Sequence, residues 1–214
     1  MQPRLSVVVP ILTHAQRHLT ACLESIAEQT LSCFEAVLVD DGSSGAHSRI
    51  AADFAARDPR FRCVRDERAT GSGAARNTGV RASPRTVEFL TFADADDVVP
   101  HDAYDRLIAS LDTTDSAFAT GNVWRLGDHG RHQAPAYRWL TEARTRTHIT
   151  RDPRLLADRG ARNKVFRRAF WDRYALAFPE GRRYASARVV IPAHFLAHSV
   201  DVLTDHVSYQ RVPL

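Results

Sequence analysis

Apolar positions along the first 120 residues fall in short blocks separated by helical spacings. Leu5-Ser6-Val7-Val8-Val9 is a β-branched run stopped by Pro10, and it predicts a first strand. From Ala15 to Glu28, Leu19, Cys22, Leu23 and Ile26 recur at three and four residues, the period of a helix. Phe34 to Val39 predicts a second strand that ends in Asp40-Asp41-Gly42-Ser43-Ser44. Ser48 to Arg57 is helical in pattern, with Ile50 and Phe54 on one side, and Phe61 to Arg65 is a short third strand. Gly71-Ser72-Gly73 predicts a loop, Ala74 to Ala82 a helix and Val87 to Phe92 a fourth strand. Pro100 opens another helix through Leu107, Ile108 and Leu111, and Ser116 to Thr120 is a fifth strand.

Strand and helix in alternation predict an α/β fold, a mostly parallel sheet flanked by helices on both faces. In such sheets the ligand sits beyond the carboxyl ends of the strands. Beyond residue 120 the pattern weakens. Gly127-Asp128-His129-Gly130 reads as a hairpin turn, and Ala134 to Thr150 as an irregular, arginine-rich excursion over the sheet edge. Val165-Phe166 is a short strand feeding a helix through Ala169-Phe170-Trp171. Val189 to Leu196 is helical, and His206 to Val212 is a closing strand. The 214 residues suffice for one domain with a core. That domain spans 1–214, with a first half over 1–120 and a second over 121–214.

The fourth strand changes character abruptly. Phe89-Leu90-Thr91-Phe92-Ala93 runs into Asp94-Ala95-Asp96-Asp97, three acids among four positions. Carboxylates crowded at a strand end repel each other and resist desolvation unless something positive sits among them. A hard divalent cation is the obvious candidate. Asp40-Asp41 ends the second strand in the same way, so two acidic clusters share one sheet edge.

Charge adds an asymmetry. Residues 1–120 carry 12 basic and 17 acidic residues, and residues 121–214 carry 17 and 8. A basic second half suits an anionic partner or a membrane surface, or is a solvated arginine-rich face. The basic residues are scattered, and no recognition helix, finger or RNP pattern accompanies them, so nucleic acid is not expected. No apolar run approaches the roughly 20 residues that span a bilayer. The start of the chain does not read as a signal peptide, and cytoplasmic residence, or the inner face of a membrane, is the expectation. Cys22, Cys33 and Cys63 lack metal or redox spacing and read as buried free thiols.

Five ordered blocks resemble those of the family 2 glycosyltransferases: Val7-Val8-Val9-Pro10, Cys22 to Thr30, Val37-Leu38-Val39-Asp40-Asp41-Gly42-Ser43, Gly73-Ala74-Ala75-Arg76-Asn77-Thr78-Gly79, and Phe92 to Asp97. The similarity continues through Asn163-Lys164-Val165-Phe166-Arg167-Arg168 and Phe178-Pro179-Glu180-Gly181. It implies a GT-A fold, Rossmann-like, and an inverting, hexosyltransferase-type enzyme. The implied donor is a nucleotide-diphosphate sugar, a UDP-sugar foremost, with Mn²⁺ or Mg²⁺ as cofactor. The implied acceptor is a hydroxyl of a glycan, lipid or polymer, or a phosphorylated acceptor, in cell-envelope polysaccharide synthesis.

The resemblance also implies roles. Asp40 or Asp41 would accept hydrogen bonds from the base, and Pro10 would lie under the nucleoside. Arg76 would lie near the nucleotide, Asp94 near ribose and metal, and Asp96 would ligate the metal, with His194 a further candidate ligand. Asp97 is expected to cap the following helix, and Trp124, Trp139 and Trp171 read as core or rim, with Trp139 the one to test as a sugar platform. Rival classes lack their marks. No glycine follows the first strand as a nicotinamide fold requires, and the only lysine, Lys164, precedes Val165 rather than the Ser or Thr of a P-loop. An aspartyl phosphatase would carry a threonine where Asp97 stands.

Three departures from the family stand out. Leu12 and Thr13 occupy the places of an aromatic and an asparagine. Ala185-Ser186 occupy the places of a Glu-Asp pair whose aspartate is the general base, a contribution of about 10²–10⁴-fold in such enzymes. Glu180 and His194 are the nearest substitutes in sequence. The chain also ends at Arg211-Val212-Pro213-Leu214, where relatives continue. A catalytically silent binding module for a nucleotide sugar or an anionic glycan is therefore the second expectation.

Overall fold

The apolar blocks pair into a single sheet. The computed structural model describes residues 2–12, 18–40, 45–66, 71–127, 130–181 and 184–211. The elements are β1 (Leu5–Ile11), α1 (Leu19–Ala27), β2 (Phe34–Asp40), α2 (Ala46–Arg57), β3 (Phe61–Arg65), α3 (Ser72–Ala82), β4 (Phe89–Phe92) and α4 (Ala103–Thr113). They continue as β5 (Phe118–Gly127), β6 (Gly130–Gln133), β7 (Arg144–Thr147), β8 (Lys164–Arg167), α5 (Arg168–Arg173), α6 (Ala185–Leu196) and β9 (Val200–Arg211). Nine strands lie in the order β3-β2-β1-β4-β8-β5-β9-β7, with β6 on β5.

β1 through β4 pair in parallel, and β8 runs antiparallel between β4 and β5. β9 lies parallel to β5 and antiparallel to β7. Every residue of β1 is buried, as expected of a central strand covered on both faces. Alternate side chains serve the two layers. Val7 and Val9 enter a core with Leu23, Leu107 and Leu111 from α1 and α4, while Val8 joins Ala75, Phe166, Trp171 and Val190 on the opposite face. A smaller cluster of Val123, Tyr137, Leu140, Leu155 and Val202 lies under the 134–157 segment. No helix among the described residues is long and apolar enough to cross a membrane.

Several elements differ from their sequence expectation. The glycine stretch is mostly helix, since α3 begins at Ser72 after Gly71, whose φ of 86° lies in the left-handed region. Gly73 is needed inside the first turn because a Cβ there would stand 2.5 Å from the carbonyl oxygen of Pro179. The expected excursion contains the edge strand β7, whose Arg-Thr-Arg-Thr sequence hides a strand because an edge need not be apolar on both faces. β5 runs seven residues past its expected end to pair with β6, and the turn residues Asp128 and His129 lie outside the described set. Of the cysteines only Cys22 is buried. Cys33 is half-buried and Cys63, on β3, is exposed. β3 is an end strand of the sheet, and beyond the buried Phe61 the same face is exposed at Cys63 and Arg65, which corrects the expectation of three buried thiols.

Candidate active site

The acids at the end of β4 sit on a scaffold supplied by α1. Along one face of that helix Cys22 Sγ donates to the Asp94 carbonyl (3.4 Å), Ser25 Oγ accepts from Val99 N (3.0 Å), and Gln29 Nε2 donates to the Pro100 carbonyl (2.7 Å). The spacing of three and four residues puts these three polar groups side by side. The other end of the acidic loop is fixed where Val98 and Tyr209 of β9 exchange backbone bonds of 3.0 and 2.8 Å. The Cys22–Gln29 block is thus a strut for the acidic loop.

The positive charge among the acids is protein-borne. Arg76, from the second turn of α3, pairs with Asp94 Oδ1. Arg162, from the loop before β8, places one nitrogen 3.1 Å from Asp94 Oδ2 and 2.7 Å from Asp97 Oδ2. Burial alone would raise Asp94, but Arg162 and Arg76 outweigh it and hold it down at about 2. Asp97 is only 2% exposed. Burial dominates there over the attraction of Arg162, and its carboxyl is pushed up to about 7. Asp97 does not cap α4, which begins six residues later, at Ala103 behind Asp102. It is the buried partner of Arg162 instead. Asp97 Oδ1 is buried without a hydrogen-bond partner.

Neighbouring residues hold the two arginines in place. Arg76 lies 5.2 Å over the ring of Phe178 and donates to Ser72 Oγ, and Asn77 clamps the backbone of Phe178 with two bonds of 2.8 Å. Gly79 lets α3 press on Val8 and Val39. Arg162 is carried by a segment locked into the core. Lys164 and Asp158, both fully buried, pair at 2.6 Å. Asn163 Nδ2 donates to Asp158 Oδ1 (3.1 Å), Thr120 Oγ1 (2.9 Å) and the Gly121 carbonyl (2.8 Å). Burial opposes ionisation of Asp158, and Lys164 with His194 more than compensates, so its carboxyl stays low.

A cleft of about 660 Å³ opens at this edge, lined by Ser72, Arg76, Asp94, Arg159, Arg162, Tyr184 to Ala187 and Ile191. Ala185 and Ser186 therefore line one cavity with Asp94. Pro10 is buried in β1 and paired in register with Val39, and Asp40 ends β2 opposite Ile11. Both lie at the same sheet edge but do not line the cleft. Asp41 and Thr13 are outside the described residues.

His194 is elsewhere. It is fully buried, packed edge-on to Phe118 at 5.0 Å, with Nε2 3.4 Å from the Asp158 carbonyl and Nδ1 unpartnered. Burial and Lys164 lower its pKa to about 4. Trp139 packs on the third cluster beneath Arg154, and Glu180 is exposed and outside the cleft lining.

Arg162 and Arg159 were not singled out by sequence reasoning. The available signal was the unmet charge of the acids together with an arginine abutting the Asn163-Lys164 block.

No group of three or more His, Cys, Asp or Glu among the described residues is arranged to hold a metal. Hard cations at phosphate sites, however, use one or two carboxylates plus the substrate's phosphates and water. Asp96 is half-buried, and its carboxylate has no hydrogen bond or ion pair among the described residues. With the orphaned Asp97 Oδ1 beside it, this donor set fits that mode of binding, whereas both oxygens of Asp94 are engaged by arginine.

Fold comparison places the chain among proteins of GT-A architecture. S. aureus TarS superposes with a TM-score of 0.85 over 99% of this chain and 60% of that one at 22% identity, and it has been solved in complex with UDP-GlcNAc and with UDP. The mannosyltransferase PcManGT from Pyrobaculum calidifontis, in complex with GDP-Man and Mn²⁺, superposes at 0.62 over 100% and 58% with 21% identity. Residues 6–174 match the model of glycosyl transferase family 2, and the chain belongs to that family.

The putative glycosyltransferase EpsH of Bacillus subtilis strain 168 is 26% identical over 216 positions, 99% of this chain and 62% of that protein. The O-antigen biosynthesis protein RfbC of Myxococcus xanthus is 28% identical over 139, 64% of this chain and 11% of that protein. The chain thus spans less than two thirds of the length of these relatives.

Proposed function

We propose that this chain transfers a sugar from a nucleotide-diphosphate sugar to a glycan, lipid or polymer acceptor. The observation that supports this most is the cleft in which Asp94, at the carboxyl end of β4, meets Arg76 and Arg162, with Ser186 in the same lining. The UDP-bound forms of TarS favour a uridine donor, and RfbC favours cell-envelope polysaccharide as the product class.

Asp40, Asp41 and Pro10 would receive the nucleoside, while Asp94, oriented by its arginines, would meet the ribose. Arg76, in the second turn of α3, would lie near the nucleotide. Asp96 and Asp97 would hold Mn²⁺ or Mg²⁺, which when bound neutralises the diphosphate as a leaving group. Inversion by direct displacement fits the cleft. Its only carboxylate among the described residues, Asp94, is engaged by two guanidinium groups, which leaves no free nucleophile for a covalent intermediate. The reaction belongs at a cytoplasmic membrane face, with the basic second half as a peripheral contact that salt would weaken.

The test is release of nucleoside diphosphate from a panel of UDP- and GDP-hexoses with Mn²⁺, beside calorimetric binding of UDP and GDP. Failure of both nucleotides to bind would sink the proposal. A silent binding module is the second reading, favoured by Ala185 and Ser186 in the cleft where a carboxylate pair is expected. Binding without turnover, restored by the Ala185→Glu/Ser186→Asp variant, would select it.

A further inference from the structure

We infer that the nucleophile this cleft accepts is already an oxyanion, a phosphomonoester oxygen, and that the site works without a general base. The inference rests on the transferase reading above. A hydroxyl acceptor must lose its proton as it attacks, and no described residue lining the cleft is free to take it. Among the described lining residues the titratable groups are Arg76, Arg159, Arg162, Tyr184 and Asp94. Arginine cannot accept a proton, and both oxygens of Asp94 are occupied by guanidinium groups.

The same cleft is equipped to bind an anion. Arg159 is exposed, and its guanidinium has no partner among the described residues, while Arg76 and Arg162 are paired with Asp94. Ser186 presents a hydroxyl from the first turn of the 12-residue helix α6. No side chain caps that helix and no acid lies in its first turn, so the leading N–H groups of Ala185 to Ala187, residues that line the cleft, have no side-chain partner. Arg76 Nε, buried and lining the same cavity, also lacks a partner. A carboxylate at position 186 would repel a phosphate, whereas a serine there donates to it.

The chemistry balances without proton transfer. A phosphate oxygen attacks the anomeric carbon, and the bond from that carbon to the diphosphate oxygen breaks with its electron pair on the departing nucleoside diphosphate. A phosphomonoester dianion becomes a glycosyl phosphodiester monoanion, and the nucleoside diphosphate carries away the extra charge. Phosphate suits this better than carboxylate, because it keeps a negative oxygen for Arg159 after one oxygen has bonded to the sugar.

The experiment uses the whole chain with Mn²⁺ and whichever nucleotide sugar binds. It offers inorganic phosphate, an alkyl phosphate, the matching alkyl carboxylate and the matching alcohol, and follows products by ³¹P NMR. The expected result is a glycosyl phosphate or phosphodiester resonance with the two phosphate acceptors only. The rate should be flat from about pH 7 to 9, because the phosphate's second ionisation, near ~6, is complete.

Arg159→Ala should raise the KM for phosphate by about 10-fold or more with little change in kcat, Arg159→Lys should recover part of it, and Ser186→Asp should oppose phosphate acceptors. Transfer to the alcohol or carboxylate at an equal or higher rate overturns the inference, as does donor binding with no acceptor consumed. If no nucleotide sugar binds, the transferase reading itself has failed and this inference with it.

Discussion

Replacing Arg162 with methionine removes the single guanidinium that bridges Asp94 and Asp97 and leaves the acyl-chain-like packing of the stem. Breaking one side of a buried ion pair costs about 3–5 kcal/mol. The Arg162 side chain is 26% exposed and Asp97 2%, so the lower end, about 3 kcal/mol, applies. For a domain of this size each kcal/mol shifts Tm by about 2–4 °C, giving an expected loss of ~6–12 °C at pH 8 in chelator.

The loss must also depend on pH in a defined direction. Asp97, pushed up to about 7 in the folded state, ionises at ~3.9 when unfolded. Between those values the folded state binds the extra proton, so lowering the pH through this window stabilises. At pH 5 the Asp97 carboxyl is protonated in both proteins, so the part of the gap owed to its charge is lost, while the ion pair of Arg162 with the still-ionised Asp94 keeps the remainder. The assay is differential scanning calorimetry of both proteins from pH 5 to 8. A gap that is absent at pH 8, or equally large at pH 5, refutes the bridging role of Arg162.

Other outcomes follow from the same geometry. His194, held at about 4 by burial and Lys164, is bound by fewer protons when folded than unfolded. Acidification from ~6.5 to 4 therefore destabilises through His194 and opposes the Asp97 effect; in His194→Gln, thermal scans should show stability rising as pH falls below 7. Lys164→Met leaves Asp158 charged and buried and should cost about 3–5 kcal/mol by urea denaturation, with Lys164→Met/Asp158→Leu losing less than the single variant. Gly73→Ala, whose Cβ would meet the Pro179 carbonyl at 2.5 Å, should cost about 1–3 kcal/mol. It should also weaken calorimetric nucleotide binding by moving Arg76.

Sequence reasoning reached the fold and the acidic sheet edge because both rest on local patterns. The run from Phe89 to Ala93 ending in acids marks a strand and its carboxyl end, and Leu19, Cys22, Leu23 and Ile26 mark the buried face of α1. What escaped depends on contacts between distant residues. The need for positive charge near Asp94 was legible, yet its source, Arg162, lies 65 residues beyond Asp97 and reaches it only through the Asp158–Lys164 core network. Asp97 looked like a cap because its burial against Arg162 leaves no local trace. His194 lies on a helix with apolar spacing, and only packing against Phe118 separates a core histidine from a metal ligand. Gly73 read as loop because the backbone of Pro179, which forbids its side chain, comes from 106 positions away.

The central claim is that a nucleotide-diphosphate sugar binds at the acidic edge between Arg76 and Ser186. The most direct measurement is a crystal soaked with UDP and Mn²⁺, with anomalous data collected at the manganese edge. The account predicts an anomalous peak against Asp96, diphosphate density toward Arg76, and no metal at His194. A nucleotide bound elsewhere, or crystals and solution alike showing no UDP or GDP bound, would contradict it.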